Sequence, residues 1–163
     1  MPTGHRKDTE VKTLELKIPP PVVAIVLVAL MWFLAWLTPS LSFELPARRF
    51  VVWALVLCAL CIGLPATTAF RRARTTVHPM HPEQASTLVT SGVYRFTRNP
   101  MYVGILLLLA AVAAHLGSVL ALLGLPAFVF WIGRFQIAPE ERALRAKFGS
   151  AYDDYTRAVR RWL

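Results

Sequence analysis

The chain alternates between long apolar stretches and shorter polar segments. The four apolar stretches contain no acidic residue, and they cover 21–37, 50–70, 101–115 and 118–137. A helix rises about 1.5 Å per residue, so about 20 residues cross a hydrocarbon core of roughly 30 Å. The second and fourth stretches reach that length, whereas the first is shorter and the third is short enough that it need not cross fully. The pattern predicts an all-α polytopic membrane protein with about four transmembrane helices.

A turn signal and a periodic tail complete the predicted fold. Gly117 and Ser118 separate the third stretch from the fourth, which predicts that these two form an antiparallel helical hairpin. Beyond the fourth stretch, apolar residues recur every three or four positions among basic ones, which predicts an amphipathic C-terminal cytoplasmic helix. This helix either lies on anionic headgroups or closes over a site. Its apolar positions are Leu144, Phe148, Tyr152, Tyr155 and Val159.

The charge distribution predicts how the chain crosses the membrane. Hydrophobic residues make up 56% of the 163 residues, charged residues only 17%, and the net charge is +9. The basic residues flank the apolar stretches, so we expect a membrane surface rather than nucleic acid as their partner. The loop between the first two stretches carries only Arg48 and Arg49, whereas the N-terminal arm, the segment after the second stretch and the tail carry four, five and six Lys or Arg residues. The positive-inside rule then predicts four crossings with both termini in the cytoplasm.

This topology places the two long polar segments on the same side, where they can meet. The N-terminus lacks the pattern of a cleavable signal peptide, because polar residues precede the first apolar stretch and no small-residue cleavage site follows it. We expect a multi-pass protein of a bacterial or archaeal inner membrane, folded as one domain over 1–163. Its predicted parts are a cytoplasmic arm (1–20), two transmembrane helices (21–70), a polar loop (71–100), the hairpin (101–137) and the tail (138–163).

The segment LVTSGVYRFTRNPMY, residues 88–102, has the composition of a binding loop. Gly92 allows a tight turn, and Asn99 followed by Pro100 indicates a helix start with Asn99 as its N-cap. The amides at such a terminus suit an anion or a carboxylate, and Tyr94 and Tyr102 offer flat faces with a polar tip. The alternative is a well-capped turn at the membrane interface with a belt of tyrosines.

Two adjacent carboxylates, Glu140 and Glu141, follow the fourth stretch. They either complement the dipole of a helix that begins there, or one of them binds an ammonium group or a cationic sulfonium. Metal sites are not predicted. His78 and His81 have no third ligand nearby, and Cys58 with Cys61 lies within an apolar stretch, which favours packing residues on a helix face. A soluble Rossmann nucleotide site is excluded as well, since no GxGxxG follows a strand.

The ordered motifs of the second half resemble the isoprenylcysteine carboxyl methyltransferase family and its bacterial relatives, which include phospholipid N-methyltransferases and thiol S-methyltransferases. The resemblance covers about residues 86–163. It is carried by LVTSGVY at 88–94, RNPMY at 98–102, an apolar hairpin, and Glu140-Glu141 followed by Leu144, Phe148-Gly149, Tyr152 and Tyr155.

The resemblance implies S-adenosylmethionine as cofactor and S-adenosylhomocysteine as product, held between the loop before the third span and the tail. Glu140 would take the amino group of the cofactor. Eukaryotic members have histidine at the positions of Ser86 and Asn99, so no step through an imidazole carries over. By matching position the remaining cofactor contacts are Ser86, Thr87, Leu88, Val89, Gly92, Tyr94, Asn99, Pro100, Met101 and Tyr102.

Arg98 and Asn99 are the predicted catalytic residues. The planar fork of Arg98 suits bidentate contact with a carboxylate of the acceptor or the cofactor, although an interfacial arginine can also anchor a phosphate. Gln136 stands where eukaryotic members have an arginine assigned to the substrate. Arg134 and Glu141 complete the predicted substrate residues.

We therefore predict a methyltransferase in the membrane that acts on a lipophilic acceptor, in the first place an isoprenylcysteine-like or other lipid carboxylate. A phospholipid amine and a small thiol are the alternative acceptors. The expected partners are membrane lipids and a lipophilic or lipid-linked acceptor, without nucleic acid or metal. A small transporter is disfavoured because no ionisable residue lies in the middle of a span. A scaffold would leave the loop motif and the glutamate pair without a purpose.

Overall fold

The computed structural model describes residues 15–72 and 86–163, and helices form 77% of this part of the chain. No strand occurs within it, apart from one isolated bridge between Ser42 and Ser118. The predicted all-α fold is confirmed. The helices are α1 (Pro20–Leu37), α2 (Arg48–Arg72), α3 (Pro100–Leu116), α4 (Gly124–Ile132), α5 (Ala138–Phe148) and α6 (Ser150–Ala158). Short 3-10 turns cover Pro39–Leu41, Gly92–Arg95 and Leu120–Leu123, and a π-turn covers Gly133–Ile137.

Three helical stretches in the described residues are long and apolar enough to cross a membrane. They are Pro20–Leu37, Arg48–Ala69 and Leu120–Phe148, while α3 is apolar but has only 17 residues. Large apolar side chains point outward from them, and Trp36 and Phe50 are 75% and 80% exposed. Such a surface is stable only when lipid covers it. Cys58 and Cys61 also lie exposed on α2, so the prediction that they are packing residues is wrong.

Small residues allow the helices to approach closely. A Cβ added at Gly104 of α3 would lie 3.3 Å from the Ala59 carbonyl oxygen and 3.4 Å from the Gly63 Cα, both on α2. Gly124 of α4 makes room for the buried Met31 of α1 in the same way. Close backbone contact of this kind replaces the hydrophobic driving force, which is weak between helices in lipid. The packing fixes where the N-terminus of α3 lies relative to α2.

The predicted turn between the third and fourth stretches is present. Gly117 has φ +59°, and its amide donates to the Ala113 carbonyl, which ends α3. The loop after α1 lies against this tip, since the Phe43 amide donates to the Gly117 carbonyl at 2.7 Å. We call this end of the molecule, residues 38–47 with 117–119, the hairpin end. The opposite end holds the start of α3, the described N-terminal residues and helices α5 and α6, and we call it the basic end.

The fourth stretch continues further than the sequence predicted. The π-turn joins α4 to α5 without a break, because the Ala138 amide donates to the Gly133 carbonyl five residues earlier. Glu140 and Glu141 therefore do not occupy a free helix N-terminus, and the interpretation through the helix dipole is wrong. The tail is also two helices rather than one. Gly149, with φ +54°, separates α5 from α6.

Candidate active site

The basic end contains a buried polar cluster where α3 meets the π-turn and α5. Tyr102 Oη donates to Glu140 Oε1 at 2.6 Å, and Gln136 Nε2 donates to the same oxygen at 2.8 Å. Tyr102 is 4% exposed and Gln136 is 2% exposed. We call these three residues the glutamate cluster. Buried polar groups are costly unless they satisfy one another, so the cluster holds α3 and α5 in one relative position.

Local sequence explains how the three side chains meet. Pro100 occupies the first turn of α3, where its missing N–H costs nothing, and this begins the helix two residues before Tyr102. Gln136 and Glu140 are four residues apart, which places them on one face of the continuous helix. The π-turn inserts an additional residue into the helical repeat just before Glu140. Turns of this type shift the register of a helix face and are frequent at functional sites.

A second set of charged groups lies beside the glutamate cluster. The Glu141 carboxylate accepts from Arg98 Nη2 at 3.0 Å and from Arg161 Nε at 3.1 Å. The Arg98 side chain is only 13% exposed, and its Nε has no hydrogen-bond partner among the residues that the structure describes. A buried donor without an acceptor is unfavourable, so this atom suits an acceptor supplied by a ligand.

The C-terminal residues are bound to the loop before α3. The Arg98 amide donates to the Arg160 carbonyl at 2.9 Å, and Asn99 Nδ2 donates to the Arg161 carbonyl at 2.8 Å. Thr97 Oγ1 donates to the same carbonyl at 3.3 Å. Asn99 therefore occupies the predicted N-cap position without capping α3 through its side chain. The carbonyl of the tail competes for its amide, which corrects the capping role predicted from sequence.

Three tyrosines line the contact between the loop and the tail. Tyr155 Oη donates to the Tyr94 carbonyl at 2.7 Å, and the rings of Tyr152 and Tyr155 meet edge to face at 6.3 Å. Burial raises the pKa of Tyr94 and of Tyr155 well above the usual value of tyrosine, and it raises the pKa of Tyr152 to about 12. All three hydroxyls stay protonated near pH 7. A protonated hydroxyl can donate a hydrogen bond, as that of Tyr155 does, and it does not act as a base.

The structure brings most of the predicted site residues together at the basic end. Val89 and Tyr94 are buried against Ala66 of α2, with Met101 packed beside them. Ser86, Thr87 and Gly92 are exposed at the rim of this group, and Leu88 is half-buried. The buried residues among those predicted are Val89, Tyr94, Asn99, Pro100, Tyr102 and Gln136, and the half-buried ones are Arg98, Met101, Glu140 and Glu141.

Arg134 does not join this group. Its guanidinium is 43% exposed and donates to Glu15 Oε1 at 2.9 Å, and Arg142 pairs with the other oxygen of Glu15. Residues two positions apart on a helix face different directions, so Arg134 points away from the buried Gln136. His78 and His81 lie outside the described residues. Within residues 15–72 and 86–163, no three His, Cys, Asp or Glu side chains are grouped as metal ligands.

Thr97, Arg161 and Glu15 contribute to the site region without having been predicted from the sequence. Thr97 is only 2% exposed, although it lies in the sequence between the exposed Phe96 and the charged Arg98. Its burial could therefore not be predicted from its neighbours. Arg161 acts partly through its backbone carbonyl, which has no signature in a sequence. Glu15 is one of three acidic residues in the N-terminal arm, with Asp8 and Glu10, so its sequence position does not distinguish it.

Comparison with known proteins agrees with these observations. The family model described as "Phospholipid methyltransferase" matches residues 47–151, which run from the start of α2 into α6. An uncharacterized protein of Haemophilus influenzae is 49% identical over 63 residues, covering 39% of this chain and 100% of that protein. No solved structure matches the chain. The family match includes the loop before α3, the hairpin and α5, and it confirms the resemblance carried by the sequence motifs.

Proposed function

Because this chain belongs to the phospholipid methyltransferase family, we propose that it moves the methyl group of S-adenosylmethionine onto a lipid-like acceptor at its basic end. Family membership itself points to a membrane methyltransferase acting on lipid-like substrates. Beyond this, we propose which cofactor the protein uses and which residues bind it. The observation that supports it best is the buried glutamate cluster beside the unsatisfied Nε of Arg98.

The donors and acceptors at the basic end suit the polar groups of this cofactor. Its methionyl part carries an ammonium and a carboxylate. Glu140 offers a buried carboxylate to the ammonium, and Tyr102 and Gln136 hold that carboxylate in position. Arg98 Nε, buried and without an acceptor in the described chain, suits the carboxylate. Val89, Tyr94 and Met101 supply an apolar and aromatic surface for the nucleoside.

The residues contribute position and exclusion of water rather than covalent chemistry. When bound, the sulfonium supplies an electrophilic methyl group, whose bond to sulfur breaks as a lone pair of the acceptor forms the new bond, leaving S-adenosylhomocysteine. Methyl transfer of this kind is accelerated by alignment in a desolvated pocket. The tail, held over the loop through Arg160, Arg161 and Tyr155, covers this region from one side. Arg98 orients the carboxylate of the cofactor, and the protonated tyrosine hydroxyls offer hydrogen bonds.

The acceptor is a lipid in either of two chemical forms. A lipid carboxylate was the first expectation from sequence. A phospholipid amine is the second candidate, and Gln136 favours it. This side chain has no positive charge with which to bind a carboxylate, and its amide donates a hydrogen bond to Glu140. An amine must also lose a proton during the reaction. The family description names phospholipids, which agrees with the second candidate.

Cofactor binding is the first experiment. We expect the purified protein in a neutral detergent to bind S-adenosylmethionine and S-adenosylhomocysteine in titration calorimetry and to show a rise in Tm with each. Glu140→Ala should weaken both affinities by at least about tenfold, since it removes a buried ionic contact. Glu140→Gln, which still accepts from Tyr102, separates loss of charge from loss of folding. Glu44→Ala, at an exposed position of the hairpin end, is the matched control.

Absence of heat and of a Tm change with both ligands in the wild-type protein would remove the proposal. Equal affinities for Glu140→Gln and wild type would remove Glu140 as the ammonium ligand. The acceptor is then identified with cofactor labelled in its methyl group and a lipid extract. Label released as methanol by mild alkali indicates a carboxylate acceptor, whereas alkali-stable label in the headgroup indicates an amine.

A further inference from the structure

The hairpin end carries a cleft that the proposed methyl transfer does not use. It has a volume of about 390 Å³ and lies between the first turns of α2 and the end of α3. Its lining residues are Arg48, Arg49, Val52, Trp53 and His115. The glutamate cluster lies at the other end of α3, where Tyr102 contacts Glu140 of α5. The cleft therefore has to be explained by something other than the cofactor site.

The cleft is positively charged, and the described residues do not neutralise it. Arg48 Nη2 donates to the Phe43 carbonyl at 3.1 Å, and Nη1 donates to the His115 carbonyl at 3.5 Å. These contacts hold the guanidinium in place without cancelling its charge. Arg49 is exposed, and neither arginine forms an ion pair with a carboxylate in the part of the chain that the structure describes. The pair presents two cationic groups at one position.

The depth of these residues matches that of a lipid headgroup. Arg48 and Arg49 are the first residues of the candidate span Arg48–Ala69. Val52 and Trp53 follow about one helical turn deeper, roughly 5 Å further into the membrane. A phospholipid has the same order of groups, with a phosphate at the surface and apolar chains below it. Trp53 is 70% exposed, at a level where tryptophan commonly contacts the glycerol region.

The charges in the cleft also select among lipids. Among the residues that the structure describes, no acidic side chain lines it, so the ammonium of a zwitterionic headgroup would have no partner from them there. Two basic residues at this end also act against the positive-inside distribution of the chain, which makes them unfavourable for topology alone. We infer that this cleft binds the headgroup phosphate of an anionic phospholipid, from the leaflet opposite the proposed active site. Arg49 and Arg48 contact the phosphate, and Val52 and Trp53 contact the apolar part.

Lipid-dependent stability tests this inference with the full-length protein. The protein is purified in a neutral detergent, delipidated, and titrated separately with phosphatidylglycerol, phosphatidylcholine and inorganic phosphate while Tm is recorded. We expect phosphatidylglycerol to raise Tm with the highest affinity. Arg49→Gln should weaken that affinity about fivefold, the loss expected for one cation at a headgroup. Arg49→Lys should retain most of it.

Arg157→Gln is the matched control, because Arg157 is an exposed arginine of α6 at the basic end. It should leave the affinity for phosphatidylglycerol unchanged. Equal losses in Arg49→Gln and Arg157→Gln would indicate general attraction to a basic protein and overturn the site. A full effect of inorganic phosphate alone would overturn the lipid assignment, and equal affinity for phosphatidylcholine would overturn the selectivity.

A second measurement does not depend on how well an arginine variant folds. Phosphatidylglycerol with brominated chains should quench tryptophan emission more than brominated phosphatidylcholine does, and Trp53→Phe should remove this difference. A difference that persists in Trp53→Phe would place the bound lipid elsewhere. Because neither measurement involves methyl transfer, failure here would leave the proposed function untouched.

Discussion

Replacing Tyr102 with phenylalanine removes one hydroxyl from the glutamate cluster and leaves its ring in place. The ring is buried, at 4% exposure, and packs in the apolar core with Leu109 and Phe128, so we expect no cavity and no change of fold. What disappears is the donor that lies 2.6 Å from Glu140 Oε1, a distance typical of a strong bond to a carboxylate. Tyr102→Phe therefore tests a single interaction.

The expected loss of stability in Tyr102→Phe follows from the charge and burial of the Glu140 acceptor. Hydrogen bonds to charged groups contribute about 1.5–3 kcal/mol, and a buried carboxylate that loses a donor also keeps its desolvation cost. Gln136 remains as the other donor, so we expect a loss near the lower half of this range, about 2 kcal/mol. A loss of this size lowers the ratio of folded to unfolded protein about 30-fold.

Equilibrium unfolding in mixed micelles, followed by far-UV circular dichroism as the denaturing detergent is increased, measures this loss. Tyr152→Phe is the matched control, because Tyr152 is equally buried at 2% exposure and its hydroxyl forms no hydrogen bond to the residues that the structure describes. A double-mutant cycle with Glu140→Gln, which keeps an acceptor oxygen, should give a coupling of about 1 kcal/mol. If Tyr102→Phe costs no more than Tyr152→Phe, the cluster does not hold α3 against α5.

Three further changes test how the site is supported. Gly104→Ala places a Cβ 3.3 Å from a carbonyl oxygen of α2 and should lower the free energy of unfolding by about 1–2 kcal/mol in the same titration. Gly63→Ala is its control, because the added Cβ meets no atom within 4 Å and should leave stability nearly unchanged. Equal losses in the two variants would contradict close packing of α2 and α3. Thr97→Val removes the hydroxyl that donates to the Arg161 carbonyl, so trypsin should cleave the tail faster, and an unchanged rate would mean that other contacts hold it. Glu15→Gln weakens two ion pairs with exposed arginines, so it should lower the free energy of unfolding by less than about 1 kcal/mol. Added salt should remove this loss, because it screens exposed charges. A larger loss that persists in salt would contradict the prediction.

The span pattern was predictable because lipid imposes it. A backbone in hydrocarbon must satisfy its own hydrogen bonds, which requires helices, and its side chains must be apolar over the membrane thickness. Both demands are local, so the apolar stretches predicted the bounds of α1 to α3 within two residues, whereas the fourth stretch continues to Phe148. The turn at Gly117 was equally local, since a left-handed residue between two helices favours glycine.

The site was only partly predictable. The motifs identified the family and the segments, because those residues recur at constant spacing. They did not show that Arg134 and Gln136, two positions apart, would separate into an exposed ion pair with Glu15 and a buried contact with Glu140. This separation depends on the rotation of α4 and on the π-turn after it. Neither leaves a periodic signal in so short a segment.

From the order of the amino acids alone one can predict that this chain is helical, that it lies in a membrane, that its basic segments share one end, and which family its motifs resemble. These properties depend on residues close together along the chain. The folded chain was needed to show that the Tyr102 hydroxyl reaches a carboxylate 38 residues away and that Asn99 donates to a backbone carbonyl 62 residues away instead of capping α3. It was also needed to show that the fourth span continues into α5. Such contacts depend on how the helices pack, and a carbonyl acceptor is present at every residue, so no sequence pattern distinguishes the one that is used.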